Sequence, residues 1–193
     1  MTTNQDTIEK VDSFVKKAFQ KNPHYSFNHW SVMYNHSVNV KNLALKISEN
    51  INCNKFILSI CALLHDIGKT YKTDLETLHK NHEDFNLAVS EDFLKSLNLD
   101  HDDFQKISDI ITHNSDSVEM KIVEDADALA LYFDKTLYML YIEWALKNEL
   151  RSAIQRKLDK FNSLNFEISR ELGKDKIEQM KQDWGEYQKN NEG

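Results

Sequence analysis

The chain has 193 residues, a length typical of one folded domain, and it contains four glycines and one proline. Tight β-turns and phosphate-binding loops need those residues, so their scarcity argues against sandwiches, barrels and dinucleotide-binding folds and favours helices. Lys and Arg total 24 against 31 Asp and Glu, which leaves a net charge of -7. Because a phosphate backbone repels an acidic surface, we expect no nucleic acid polymer as a partner.

Neither a membrane segment nor a secretory signal is expected from the sequence. The longest uncharged apolar stretch, 56–64, is far shorter than the roughly 20 residues that a spanning helix needs. Residues 1–10 are polar and carry acidic side chains. The two cysteines, Cys53 and Cys61, do not form a C-x-x-C pair and are typical of reduced thiols. We therefore expect a cytoplasmic protein that does not contact membranes.

The hydrophobic pattern predicts about seven or eight helices in an all-α, single-domain bundle. An N-terminal helix and its lead-in take residues 1–29, since the residue before Pro23 disfavours helical backbone. Residues 30–135 form the core of the bundle, and residues 136–193 form closing helices that pack on it. Before residue 136, helices are predicted at about 5–20, 30–50, 54–67, 80–97, 101–113 and 118–134.

The second predicted helix carries a histidine on its apolar face. His36 shares its stripe with apolar residues at i+4, i+7 and i+11, namely Val40, Leu43 and Ile47. A histidine in this position is more often a hydrogen-bonded core residue than a metal ligand. Its interpretation as a ligand therefore depends on partners elsewhere in the chain.

The third predicted helix is apolar nearly all round and ends at His65, Asp66 and Gly68. Gly68 is expected to be a left-handed cap, which puts His65 and Asp66 in the final helical turn. A carboxylate buried there needs a compensating cation, and a metal ion would supply one. A helix-end cap with an ion pair is the plainer alternative, since histidine interacts favourably with the negative end of the helix dipole.

Two aspartates, Asp125 and Asp127, lie in a later apolar helix. They are about 200° apart on a helix and both faces carry apolar neighbours, so periodicity leaves open which one faces a site. Together with His36, His65 and Asp66, either aspartate would complete a mixed nitrogen and oxygen ligand set. Such a set suits one or two ions of Mn, Fe, Co, Ni or Zn better than Ca, and Mg stays open.

The order of these residues resembles the HD-domain superfamily of metal-dependent phosphohydrolases. Three segments resemble the family's first histidine helix, the end of its HD helix and its last ligand helix, namely NHSVNV at 35–40, LLHDIGK at 63–69 and VEDADAL at 123–129. The resemblance covers about residues 30–135 and implies an HD-type helical bundle. It also implies that His36, His65, Asp66 and Asp127 bind the metal, which favours Asp127 over Asp125.

Members of this superfamily that hold two metals use two further histidines, and His82 and His113 occupy the corresponding places. The resemblance then makes Asp66 the bridging carboxylate. Plainer interpretations are a solvated first-turn residue for His82 and a helix-end residue for His113. The other histidines, His24, His29, His79 and His101, are expected at the surface.

The resemblance implies hydrolysis of a phosphoester by metal-bound hydroxide. We expect a small phosphorylated metabolite, a nucleotide or similar compound, as substrate. Asp66 could orient the attacking water and Lys69 could neutralise a phosphate, although a lysine after a helix end is commonly solvated. Two alternatives are a di-iron oxygenase that acts on a small substrate and a non-catalytic module that senses a nucleotide or a metal.

An aromatic stripe in the closing helices comprises Tyr138, Leu140, Tyr141, Trp144 and Leu146. Stripes at helical spacing are more often core packing than a binding face, so we predict packing here. The same stripe could bury against a second copy of the chain in a homodimer.

Overall fold

The computed structural model describes residues 3–23, 29–147 and 151–191, and the regular structure within these ranges is helical without a strand. The helices are α1 (Asn4–Lys21), α2 (Trp30–Ile47), α3 (Lys55–Leu64), α4 (Leu75–Ser96), α5 (His101–Ile111), α6 (Val118–Phe133), α7 (Lys135–Lys147), α8 (Arg151–Lys160) and α9 (Glu167–Asn191). None of these described helices has the length and apolar character needed to cross a bilayer. The all-α prediction is confirmed.

The structure differs from the predicted boundaries of two helices near the candidate site. The apolar helix α3 ends at Leu64, and a 3-10 turn, Ile67–Thr70, follows it, so His65 and Asp66 lie after the helix. Helix α4 begins at Leu75, where Asp74 caps its N-terminus by accepting a hydrogen bond from Thr77 N at 2.9 Å. Its backbone is not helical at Asn81, with φ -126° and ψ 15°, so the predicted start near residue 80 lies at this break in α4. The segment before this break carries a buried apolar residue, Leu78, which the predicted bounds left out. We call residues 65–70 the His-Asp turn.

The chain forms two compact units, Met1–Val123 and Glu124–Gly193. In the first unit, α3 is the central element, and every residue from 57 to 64 is buried. Helices α1, α2 and α5 pack on α3, and α4 packs on the 3-10 part of the His-Asp turn and on α5. An all-round apolar helix requires this environment, since any face turned to water would expose Leu, Ile or Ala side chains.

In the second unit, α7 packs on α8 and α9. Tyr138 of the aromatic stripe is buried, and its hydroxyl donates a hydrogen bond to Asp183 on α9. Lys135 Nζ lies 2.9 Å from the same carboxylate. Tyr138, the first residue of the predicted stripe, is therefore core packing within this unit.

A buried carboxylate fixes the start of α3 in the first unit. Glu119 Oε1 accepts hydrogen bonds from Asn54 N at 2.8 Å and from Lys106 Nζ at 2.9 Å. Burial is the largest influence on the pKa of Glu119 and would raise it, but the bonds from Asn54 and Lys106 outweigh burial and lower this pKa. Glu119 is therefore ionised in the folded protein at neutral pH.

Replacement of Glu119 by Gln is expected to weaken the dependence of the free energy of unfolding on pH in the acid range. The pKa of Glu119 is lower in the folded protein than in the unfolded chain, where it is about 4.3. The stabilisation of the fold by ionised Glu119 is therefore complete above about pH 4.3 and is lost as the pH falls through the pKa of the folded protein. Urea unfolding should show a deficit of about 1.5 to 3 kcal/mol for the variant at about pH 7, shrinking towards about pH 3. A deficit independent of pH would contradict this role.

Candidate metal centre

Three histidines from three chain segments of the first unit surround the carboxylate of Asp66. Asp66 Oδ2 lies 3.3 Å from His65 Nε2 and 3.6 Å from His36 Nε2. Asp66 Oδ1 lies 3.6 Å from His82 Nε2. His36 comes from α2, His82 from α4, and His65 and Asp66 from the His-Asp turn. The structure therefore brings four of the predicted metal ligands together, with the two oxygens of Asp66 facing different histidines.

Local structure turns both histidine rings near Oδ2 towards the carboxylate. His36 is buried on the inner face of α2, as the apolar stripe predicted. His65 Nδ1 lies 2.8 Å from the carbonyl oxygen of Ala62, which can only accept a hydrogen bond, so Nδ1 carries the proton. This bond occupies Nδ1 and leaves His65 Nε2, which faces Asp66 and His36, as the ring nitrogen available to a metal ion.

The separations of these donor atoms fit a shared cation. His36 Nε2 and His65 Nε2 are 3.3 Å apart, and Asp66 Oδ2 is within 3.6 Å of both. Ligands about 2.1 Å from one ion lie roughly 3.0 to 3.4 Å from each other in octahedral or tetrahedral geometry. Two imidazoles and a carboxylate with these spacings are a suitable donor set for a divalent metal.

Lys69 belongs to the same cluster. Its Nζ donates a 2.6 Å hydrogen bond to Asp66 Oδ2, and its side chain is only 14% exposed, so it is not the solvated residue of the plainer interpretation. Burial is the largest influence on the pKa of Asp66 and would raise it, but the positive charges of Lys69, His65 and His36 outweigh burial and hold this pKa well below its usual range. Asp66 is therefore a carboxylate at neutral pH, the form that binds metal.

The two histidines predicted for a second ion have different surroundings. His82 lies in the cluster, as described above. His113 follows the C-terminus of α5 with a left-handed backbone at φ 57°, its side chain is 38% exposed, and its Nε2 lies 3.8 Å from Glu83 Oε1. The structure thus places His113 beside Glu83, the residue after His82. Binding of a second ion by His82 and His113 stays a prediction.

In the second unit, α6 carries Asp125 and Asp127, and their contacts within that unit separate their roles. Asp125 is buried, and its Oδ1 accepts hydrogen bonds from Asn165 N at 2.8 Å and Nδ2 at 2.9 Å, while its Oδ2 accepts one from Phe166 N at 3.0 Å. These bonds hold the chain just before α9. Asp127 Oδ2 lies 3.5 Å from Lys160 Nζ, and its side chain is 27% exposed. Asp125 is thus a structural residue, and Asp127 stays the predicted ligand.

Variants of the two aspartates should affect different properties, the free energy of unfolding for Asp125 and metal binding for Asp127. Asp125→Ala leaves two backbone N–H groups without their acceptor, so we expect the free energy of unfolding to fall by about 2 to 3 kcal/mol while metal content is unchanged. Asp127→Asn should weaken metal binding by about 10- to 100-fold with little change in stability. Urea unfolding and metal analysis of both variants check this. A stable Asp125 variant that has lost its metal would reverse the assignment.

Gly68 and Asn86 have roles that the sequence did not indicate. The expected left-handed cap at Gly68 was wrong, since no described glycine has a positive φ. A Cβ on Gly68 would instead lie 1.9 Å from the carbonyl oxygen of His82, so glycine is needed for close approach to α4. Asn86 accepts a 2.7 Å hydrogen bond from Gly68 N. The one sequence feature that could have indicated Asn86 is its position as a polar residue one turn after His82 on the apolar face of α4.

Two of the remaining histidines are at the surface, as expected. His29 is exposed and caps α2 by accepting a hydrogen bond from Ser31 N, and His101 is the exposed first residue of α5. His24 and the side chain of His79 lie outside the described part of the chain.

The chain is similar to known proteins in sequence and in fold. The sequence model of the HD domain family matches residues 33–164. Uncharacterized protein MJ1154 of Methanocaldococcus jannaschii is 36% identical over 105 residues, which are 53% of this chain and 22% of that protein. The chain therefore aligns with about a fifth of the length of this curated relative.

Two solved structures have a similar fold over nearly the whole chain. A HD-superfamily hydrolase from Bacillus thuringiensis has 22% identity and a TM-score of 0.72, with 97% of this chain and 98% of that chain covered. YpgQ of Bacillus subtilis, solved in complex with ADP, has 22% identity and a TM-score of 0.73, with 100% and 98% covered.

The family match extends from the first unit into the second, so the predicted all-α, single-domain HD-type fold is confirmed. The matched range contains the residues around Asp66, and their order in the sequence is that of the family pattern described above. This chain belongs to the HD domain family.

Proposed function

We propose that this protein is a metal-dependent phosphohydrolase that acts on a small phosphorylated metabolite, with nucleotides as the favoured class. The observation that carries this proposal is the convergence of His36, His65 and His82 on the buried carboxylate of Asp66. Membership of the HD domain family and similarity to a HD-superfamily hydrolase support the reaction class. The structure of YpgQ with ADP supports the substrate class.

His36, His65 and Asp66 would hold the metal ion, with Asp127 as a further ligand on the resemblance to the family alone. His82 faces the other oxygen of Asp66, which suits this carboxylate to a bridging position if two ions bind. The bound metal would lower the pKa of a water molecule and stabilise negative charge on phosphoryl oxygens. This local positive charge would offset the acidic surface of a protein with a net charge of -7.

The protein's own side chains would orient the reactants. Asp66, held ionised by Lys69 and the histidines, would accept a hydrogen bond from the attacking water and fix its direction. Lys69 has its ammonium group at the cluster and could turn from Asp66 to a phosphoryl oxygen of the substrate. Asp66 would thus act on the attacking water, and Lys69 would act on the phosphoryl group.

Phosphate release from a panel of nucleoside mono-, di- and triphosphates tests the proposal. The protein is stripped with a chelator and reloaded separately with Mn, Fe(II), Co, Ni, Zn or Mg. We expect turnover of at least one nucleotide with at least one metal, and its loss on renewed chelation. Metal-loaded protein that releases neither phosphate nor pyrophosphate from any member of the panel would overturn the proposal.

Lys69→Met offers a sharper test of the phosphate contact. Methionine retains much of the side-chain volume without the charge, so we expect kcat/KM for the nucleotide to fall by about 100-fold, with the metal still bound. Steady-state kinetics and metal analysis on the same preparation check this. Unchanged kcat/KM would assign Lys69 to stabilisation of Asp66 alone.

A di-iron oxygenase is the second candidate, because histidine nitrogens lie near both oxygens of the Asp66 carboxylate. A carboxylate with histidines near both oxygens suits an iron pair as well as a hydrolytic pair. Iron content together with oxygen uptake in the presence of small candidate substrates separates the two functions.

A further inference from the structure

The side chain of Asn86 joins three chain segments that carry candidate site residues. Asn86 is fully buried on α4. Its Nδ2 donates hydrogen bonds to the carbonyl oxygens of His65 at 2.6 Å and Ile111 at 2.8 Å, and its Oδ1 accepts one from Gly68 N at 2.7 Å. We propose that Asn86 is a positioning residue of the metal centre, whose amide sets the metal affinity. This inference rests on the metal-binding part of the proposed function.

The bonding pattern explains why a primary amide occupies this position. Two carbonyl oxygens and one N–H group meet at the same buried point, and only a side chain with two donor hydrogens and an acceptor can satisfy all three. Asn86 has no exposed surface, so solvent cannot replace these bonds. The His65 carbonyl follows the C-terminus of α3, where backbone carbonyls lack intrahelical partners.

The two segments that Asn86 bonds, and α4 itself, each carry or lie next to a candidate ligand. Two of the bonds go to the His-Asp turn, one to the backbone of His65 itself and one to Gly68, two residues after Asp66. The third holds Ile111 at the C-terminus of α5, two residues before His113. Asn86 lies one helical turn after His82 on α4. A change at Asn86 would therefore shift several donor atoms relative to one another without removing any of them.

The close packing of the turn on α4 leaves little room for the bonds to rearrange. Gly68 is so near α4 that an added Cβ would lie 2.8 Å from Asn86 N and 1.9 Å from the carbonyl oxygen of His82. The Asn86 amide fixes the position of the turn along this contact. Metal affinity depends on donor positions, and changes in the groups that support ligands typically cost 10- to 100-fold.

Co²⁺ binding to the full chain tests this proposal, because the visible spectrum of bound Co²⁺ reports ligand geometry. Asn86→Leu keeps the approximate side-chain volume and removes all three bonds. Ser90→Ala is the matched control, since Ser90 is equally buried one turn further along α4 and its hydroxyl donates to the Asn86 carbonyl within the same helix. We expect Co²⁺ affinity to fall by about 10- to 100-fold in the Leu variant, with an altered spectrum. The Ser90 variant should match the wild type within about twofold.

A folded Leu variant that binds Co²⁺ with wild-type affinity and spectrum would overturn the proposal, as that result would mark Asn86 as a purely structural residue. If the Leu variant does not fold, Asn86→Asp takes its place, since it keeps the acceptor for Gly68 N and removes both amide donors. The same loss of affinity and change of spectrum are expected, and wild-type binding is again the contrary result.

Failure of the proposed function gives a different result. Wild-type protein that binds Co²⁺ but hydrolyses no phosphoester would overturn the proposed reaction, and the comparison of Asn86 variants would still decide the positioning role. Wild-type protein that binds no divalent metal would overturn both.

Discussion

Asp66→Asn is expected to remove the bound metal and to lower phosphoester turnover at least about 1,000-fold, which corresponds to about 4 kcal/mol of transition-state stabilisation. Asparagine has nearly the same shape, so the change isolates the negative charge. That charge lies within 3.6 Å of three histidine nitrogens and 2.6 Å from the Lys69 ammonium. An amide cannot replace a carboxylate that balances a divalent ion and orients a water.

The matched control for this variant is Asp183→Asn in the second unit. Asp183 also bonds a lysine and a second polar side chain, Lys135 and Tyr138, but the candidate ligands do not include it. Metal analysis and turnover should be unchanged in the control. An Asp66 variant that retained both metal and activity would place the reaction elsewhere in the molecule.

Gly68→Ala is expected to have the second large effect, a loss of at least about 3 kcal/mol in the free energy of unfolding. The new methyl group would meet backbone atoms of α4, namely the carbonyl oxygen of His82 and the N–H of Asn86. A flexible side chain could move aside, but these backbone atoms can move only if α4 separates from the His-Asp turn. We therefore also expect weaker metal binding, since His65 and Asp66 lie in that turn.

Gly185→Ala provides the control for this substitution. Gly185 lies within α9, and an added Cβ there meets no atom within 4 Å. Because alanine favours helix more than glycine does, this variant should be more stable by up to about 1 kcal/mol. Urea unfolding of both variants, with Co²⁺ titration of the folded protein, measures the contrast. Equal stability of Gly68→Ala and wild type would show that the turn can move away from α4 without cost.

The sequence alone determined that the described chain is helical and which faces of α2 and α3 are buried. The apolar stripe of α2 predicted that His36 faces the core, because helical periodicity fixes the face on which a residue lies. The all-round apolar character of α3 predicted its central position, and the His65-Asp66 pair at its end marked the candidate site. These are local properties of the chain, so residue spacing and composition are sufficient to predict them.

Only the tertiary structure decided the contacts that complete the site. Periodicity left Asp125 and Asp127 open and the family resemblance favoured Asp127, whereas the structure shows that Asp125 bonds a partner 40 residues later, Asn165. The roles of Gly68 and Asn86 arise from a hydrogen bond across 18 residues and from backbone atoms in near contact. Helical spacing states which residues share a face but not which element packs against that face. The identity of the packing partner therefore separated a structural carboxylate from a candidate ligand, and a close-approach glycine from a helix cap.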